Sequence, residues 1–103
     1  MSTEKTLQGA IVRAVKRTYP DAWVFHPVGG PIQTIGIPDL LVVVEGHLYA
    51  FEIKHQKPGE SAEHAYGRTT PQQRLQIDLL RRAGATATTV LSVEEVLAEL
   101  ASH

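Results

Sequence analysis

The chain has no cysteine, which rules out disulfides and thiolate metal sites and makes a cytosolic setting the default expectation. It has no apolar run near the ~20 residues that a membrane-spanning helix needs. Its first residues, Met1-Ser2-Thr3-Glu4-Lys5, are too polar for a secretory leader. It has no internal repeat and no low-complexity tract. Histidines with metalloprotease spacing are missing as well: His26, His47, His55, His64 and His103 are scattered and read as structural or surface groups. No large excess of either charge is present, and a formal net charge of −1 argues against a generic polyanion binder. That average hides an asymmetry. Glu94, Glu95 and Glu99 crowd the last segment, so residues 1–91 carry ten Lys/Arg against eight Asp/Glu. What remains is an ordinary globular composition, 43% hydrophobic and 20% charged over 103 residues, expected to form one domain, 1–103.

Two apolar runs dominate the middle of the chain. Leu40-Leu41-Val42-Val43-Val44 and Leu48-Tyr49-Ala50-Phe51 flank Glu45-Gly46-His47, a β-hairpin signature. Charge collects at the open end of this hairpin: Asp39 precedes the first strand, and Glu52 and Lys54 leave the second. If Val44 pairs with His47, Asp39 faces Glu52; if Val44 pairs with Leu48, Asp39 faces Ile53. Asp39 and Glu52 are neighbours in both registers, and Glu52 and Lys54 share a face because side chains alternate along a strand. Adjacent carboxylates repel and raise each other's pKa unless a cation lies between them. The alternative is a turn residue after Pro38 and a solvated strand end.

Residues 3–18 read as an amphipathic helix with Leu7, Ala10, Ile11, Ala14 and Val15 on one stripe. Glu4 lies at the border of that stripe, where it points to the core edge or complements the helix dipole. Tyr19-Pro20-Asp21 stops the helix, Ala22–Val28 forms a strand, and Gly29–Ile35 a loop. After the hairpin, His55–Thr69 is a long polar loop carrying His55, Lys57, His64, Tyr66 and Arg68. Such a loop suits a phosphate-bearing substrate, or is a solvated connector. Thr70-Pro71-Gln72-Gln73 opens a second helix with a capping box. Leu75, Leu79, Leu80 and Ala83 form its apolar face, with Ile77 beside it. Thr86–Leu91 is a strand, and Ser92-Val93-Glu94-Glu95 is a second capping box that starts a short last helix. A strand reached by a helical crossover lies parallel to a hairpin strand. The expected fold is therefore α/β, a mixed four-stranded sheet flanked by helices.

Two carboxylates with a lysine nearby make an oxygen-rich site for Mg²⁺ or Mn²⁺ and suit metal-assisted phosphodiester hydrolysis. At this point the chain resembles a known family. Gly36-Ile37-Pro38-Asp39 with Phe51-Glu52-Ile53-Lys54 looks like the PD-(D/E)XK nuclease signature. The pattern Thr70-Pro71-Gln72-Gln73, helix, Gly84, Thr/Val strand, Ser92-x-Glu94-Glu95 is similar to its VRR-NUC branch. The resemblance runs from Glu4 to about Leu97 and implies a restriction-endonuclease-like αβββαβ core. It further implies that Asp39, Glu52 and the backbone carbonyl of Ile53 ligate the metal, that Glu4 completes the set, and that Lys54 is the catalytic lysine. Gln73 matches a glutamine beside the active centre, competing with its capping role, and Gln8 matches a helix-one glutamine. Gln8, Lys57 and Arg68 are the expected substrate contacts. Where the family often carries an arginine before Gly-x-Pro-Asp, Thr34-Ile35 stands here.

Stand-alone members of the branch resemble Holliday-junction resolvases. The expected function is a Mg²⁺- or Mn²⁺-dependent endonuclease on branched DNA, acting as a homodimer through Trp23, Phe25 or the last helix. It would be cytoplasmic, of bacterial or phage type, with no membrane partner. The alternatives are a non-specific or site-specific duplex nuclease of the same fold, and a non-catalytic DNA-binding or assembly module.

Overall fold

The computed structural model describes residues 3–28 and 34–102. Helix α1 (Glu4–Thr18) is followed by strands β1 (Trp23–Phe25), β2 (Leu40–Val44) and β3 (His47–Ile53). Helices α2 (Ala62–Gly67) and α3 (Pro71–Arg82), strand β4 (Thr86–Val90) and helix α4 (Val93–Ala101) complete the chain. The sheet order is β1-β2-β3-β4, antiparallel at the first two pairings and parallel between β3 and β4. The mixed four-stranded sheet expected from the sequence is the one observed.

The hairpin turns in two residues, Glu45 (φ 49°) and Gly46 (φ 80°), the pair of left-handed conformations that matches the twist of the flanking strands. This short turn selects the register in which Val44 pairs with His47 and Leu40 with Phe51. One step further along the same ladder, Asp39 faces Glu52.

Alternation along the strands divides the sheet into two unlike faces. One carries Leu40, Val42, Tyr49, Phe51, Ile53 and Val90, sealed by Ile11 and Val15 of α1 and by Val96 and Leu100 of α4. Each large side chain fully buried there contributes about 1.5–3 kcal/mol of transfer free energy. The other face carries Ala50 and Ala87, small enough for α3 to lie close, with Ile77 and Leu80 against them.

Three expectations change. The apolar face read for the second helix is rotated: Ile77 is the buried position of α3, while Leu75 and Leu79 are 55% and 44% exposed. With Ala50 and Ala87 beneath it, one branched side chain and the flank of Leu80 fill the available depth. The stretch 55–69, read as loop alone, contains α2, which Ser61 caps by accepting the N–H of His64. The first strand is also shorter than its sequence signal, and most of the following loop, residues 29–33, lies outside the described residues.

Gly36 joins the approach to β2 to the start of α3. Its φ is +88°, and a Cβ there would lie 2.4 Å from the Gln72 carbonyl oxygen and 2.9 Å from Gln73 N. Both obstacles are backbone, so neither yields cheaply. Gly36→Ala is expected to lower stability by about 3 kcal/mol, combining overpacking with a disallowed backbone conformation. A urea unfolding midpoint unchanged from wild type would contradict this.

Candidate active site

Glu52 lies at the end of β3 on the α3 face, 2% exposed. Its two oxygens have different surroundings. Oε2 accepts from Gln73 Nε2 at 3.0 Å and lies 3.5 Å from Lys54 Nζ. Oε1 is buried and has no hydrogen-bond partner among the described residues. Burial pushes the Glu52 carboxyl up to about 8, and the neighbouring Asp39 carboxylate pushes in the same direction, while Lys54 only partly opposes them. An acid buried beside a second acid, with one oxygen unpaired, is costly in isolation. The arrangement suits a cation at Oε1.

Asp39 is positioned by Pro38, which is buried, and by the N–H of Ile53, which donates to Asp39 Oδ2 at 2.9 Å. This bond locks the approach to β2 against the end of β3, so the two acids keep their spacing. Lys54 is the residue after β3; its N–H donates to the Val90 carbonyl at 3.0 Å, extending the parallel ladder by one bond. Its side chain is 11% exposed.

Gln73 makes the cap bond and a bond to Glu52 with the two ends of one amide. Its Oε1 accepts the N–H of Thr70 at 2.9 Å, closing the capping box of α3, while its Nε2 donates to Glu52. One amide thus ties the start of α3 to the buried acid.

The other expected residues have different partners. Glu4 Oε1 accepts the His55 N–H at 3.4 Å and pairs with Arg68 at 3.7 Å. Among the described residues no group of three or more His, Asp or Glu side chains converges as a metal site, so Glu4 is not gathered into a triad with Asp39 and Glu52. Gln8 is hydrogen-bonded through Nε2 to His26 Nδ1 just beyond β1, a contact that sequence reading missed because it treated His26 as one of several scattered histidines. Lys57 lines a cleft of about 690 Å³ together with Glu4, His55 and Arg68. Arg68 donates through Nε to Glu60 Oε2 at 3.0 Å and through Nη2 to Glu60 Oε1 at 3.1 Å and to the His55 carbonyl. Glu60, absent from the sequence-based site, is the centre of that cluster. Its acidity among cationic neighbours in 55–69 was the available signal.

A second cleft, about 620 Å³, lies between α3, β4 and α4, lined by residues such as Arg74, Arg81 and Glu99, and contains none of the expected site residues. Among the described residues no helix is long and apolar enough to cross a membrane.

No protein-family model matches the chain, and no curated protein matches it. Solved structures do. A chain described as a "VRR_NUC domain protein" superposes with a TM-score of 0.72 at 21% identity, covering 99% of this chain and 88% of that one. Another, described as "VRR_NUC domain", gives a TM-score of 0.64 at 22% identity, covering 99% and 98%. At these identities the likeness establishes the fold: this chain is an α/β protein with the architecture of the VRR_NUC domain.

Proposed function

We propose that this protein is a divalent-metal-dependent endonuclease that hydrolyses phosphodiester bonds in branched DNA. The observation that carries the reading is the buried Glu52, with its Oε1 unpaired, beside Asp39 and Lys54. The shared architecture with structures named for a nuclease domain supports it.

The residues fit a small hard cation. Mg²⁺ is commonly held by one or two carboxylates, keeping the rest of its shell for water and substrate phosphate oxygens, so Asp39, Glu52 and the Ile53 carbonyl suffice without a third acid. When bound, such an ion polarises the scissile phosphate and makes a water more acidic. Gln73 keeps Glu52 turned so that Oε2 has a donor and Oε1 is left for the ion. Lys54, a cation and so no ligand, orients the attacking water and offsets negative charge on the phosphate as the in-line displacement proceeds. Glu4 adds negative charge at the same end through its contact with His55. Lys57, exposed on the adjoining cleft, contacts the DNA backbone.

A labelled four-way junction incubated beside linear duplex and a flap, each with Mg²⁺, Mn²⁺ or EDTA, tests this reading. The expected result is metal-dependent cutting that favours the junction. Equal cutting of all three substrates supports the non-specific alternative, and no cutting with either metal rejects the nuclease.

A second copy pairs across β1. Trp23 and Phe25 stack on each other at 5.6 Å and are 54% and 47% exposed. Trp23 pairs with Val43 and Phe25 with Leu41, and Leu48 of β3 lies opposite Val43, so these five share the face that holds Glu52, at the edge left beside the part α3 covers over Ala50. None of the five is charged, which disfavours a phosphate-bearing strand there and favours an apolar partner. The last helix buries Val96 and Leu100 in its own core and offers less. Wild type is expected to sediment at twice the chain mass, and a Trp23→Glu/Phe25→Glu variant at the chain mass. A variant that remains dimeric would place the interface elsewhere.

A further inference from the structure

We infer that Arg68 is a positioning residue for Lys54, held by Glu60 as a buttress behind the strand end, and not a contact for DNA phosphate. The inference rests on the nuclease reading for what Lys54 does, but the contacts that carry it are independent of that reading.

A guanidinium has five N–H donors in a rigid fork. In Arg68 Nε and Nη2 are committed to the Glu60 carboxylate and Nη2 also to the His55 carbonyl, while Nη1 faces Glu4 at 3.7 Å. Glu60 is itself fixed: its side chain is 7% exposed, and it accepts the Lys57 N–H at 2.9 Å and the His64 ring at 2.5 Å. Two carboxylates flank one guanidinium, so its charge is already offset and it has few free donors for an approaching phosphate.

The same bonds act on the residue after Lys54. His55 has its N–H on Glu4 and its carbonyl on Arg68. The regular strand ends at Ile53, so Lys54 would otherwise depend on one ladder bond for its placement. With His55 gripped through both backbone groups, the Lys54 backbone is fixed from both sides and its ammonium is held near Glu52. This gives the stretch 55–69 a mechanical role. It leaves the strand, turns through α2, and returns Arg68, the C-cap of that helix, to the point of departure.

Three variants separate the buttress from a phosphate contact: Arg68→Ala, Arg68→Lys and Glu60→Gln. Each is compared with wild type for kcat per folded molecule, DNA affinity against salt with Ca²⁺ in place of Mg²⁺, and amide exchange at Lys54 and His55 by NMR. A buttress predicts that Arg68→Ala and Glu60→Gln both lower kcat, by about 10–100-fold as for other groups that orient a ligand from behind. The salt dependence stays at the wild-type slope, and His55 exchange accelerates in both. Arg68→Lys recovers little, because an ammonium lacks the fork. The proposal is overturned if Arg68→Ala flattens the salt slope by about one phosphate's worth while Glu60→Gln, which frees the arginine, binds DNA more tightly. It is equally overturned if both variants keep wild-type kcat per folded molecule and wild-type exchange at His55. Should wild type not cut DNA at all, the nuclease reading falls, and the exchange rates alone still decide whether Arg68 and Glu60 hold the strand end.

Discussion

Lys54→Ala is expected to lower DNA cleavage by about 10²–10⁴-fold, the range seen when a group acting on the proton or charge of a transition state is removed, while far-ultraviolet circular dichroism stays unchanged. Lys54 opposes the burial and the Asp39 carboxylate that raise the Glu52 pKa, and on the proposed mechanism it also supplies positive charge where the phosphate gains negative charge. Without it Glu52 holds its proton to higher pH, so metal affinity falls as well and raising the Mn²⁺ concentration restores only part of the rate. Arginine is a poor replacement, since its planar fork cannot occupy the space of a compact ammonium 3.5 Å from Glu52. Asp39→Asn is expected to cost as much. The asparagine oxygen can still accept the Ile53 N–H that now goes to Asp39 Oδ2, so the hairpin end keeps its shape and only the charge is lost. Cleavage at the wild-type rate by either variant would remove these residues from the chemistry.

The second large effect is on stability against pH in EDTA. Glu52 titrates near 8 in the folded chain instead of at its ordinary 4.5, so between those values the folded state holds a proton that the unfolded chain has released. Stability therefore falls as pH rises: the contribution is fully present below the unfolded pKa and is lost as the pH climbs to about 8. Each pH unit between the two pKa values is worth about 1.4 kcal/mol, and after relaxation the expected loss from pH 5 to pH 8.5 is about 2–4 kcal/mol. Glu52→Gln keeps the shape without the charge and should show little of this slope. Mg²⁺ or Mn²⁺ added at pH 8 should raise the melting temperature of wild type and leave Glu52→Gln where it was. Parallel pH profiles for the two proteins would mean that Glu52 does not carry the effect.

Much of this was legible in the residues themselves. The hairpin, its charged open end and the proximity of Asp39 to Glu52 followed from alternation and a short turn, because strand pairing leaves few registers to choose from. The cap at Thr70 and Gln73 was equally clear, as it depends on local spacing. What was not legible depended on tertiary contacts. Periodicity placed Leu75 and Leu79 on the apolar side of α3, but the depth above Ala50 and Ala87 decides that Ile77 is the buried residue. Arg68 reads as a phosphate contact because 55–69 gathers cationic and aromatic groups directly after the acidic cluster; its bonds to Glu60 and to the His55 carbonyl are not visible at that level. Its partner Glu60 lies eight residues back, on the far side of the short helix α2 (Ala62–Gly67), so no single regular element runs through both residues to reveal the pairing. Gln73 posed a choice between cap and site that sequence could not make, since one amide has an oxygen for the first and a nitrogen for the second.

The mixed pairing around β3 also implies an order of assembly. The β2–β3 hairpin closes over a two-residue turn, so Asp39 and Glu52 are expected to meet early, while both are still hydrated. β4 can join only after the chain has run through α2 and α3, a far longer closure with a larger entropic barrier. Gln73 arrives with that crossover, and so does the burial of Glu52. Dehydrating the acid thus belongs to the late, non-local step of folding, and refolding in EDTA should slow as pH rises past the point where Glu52 is charged. On the proposed function, a divalent ion captured by the open hairpin would remove that obstacle before the crossover closes, so that the ion would speed the formation of the site that holds it.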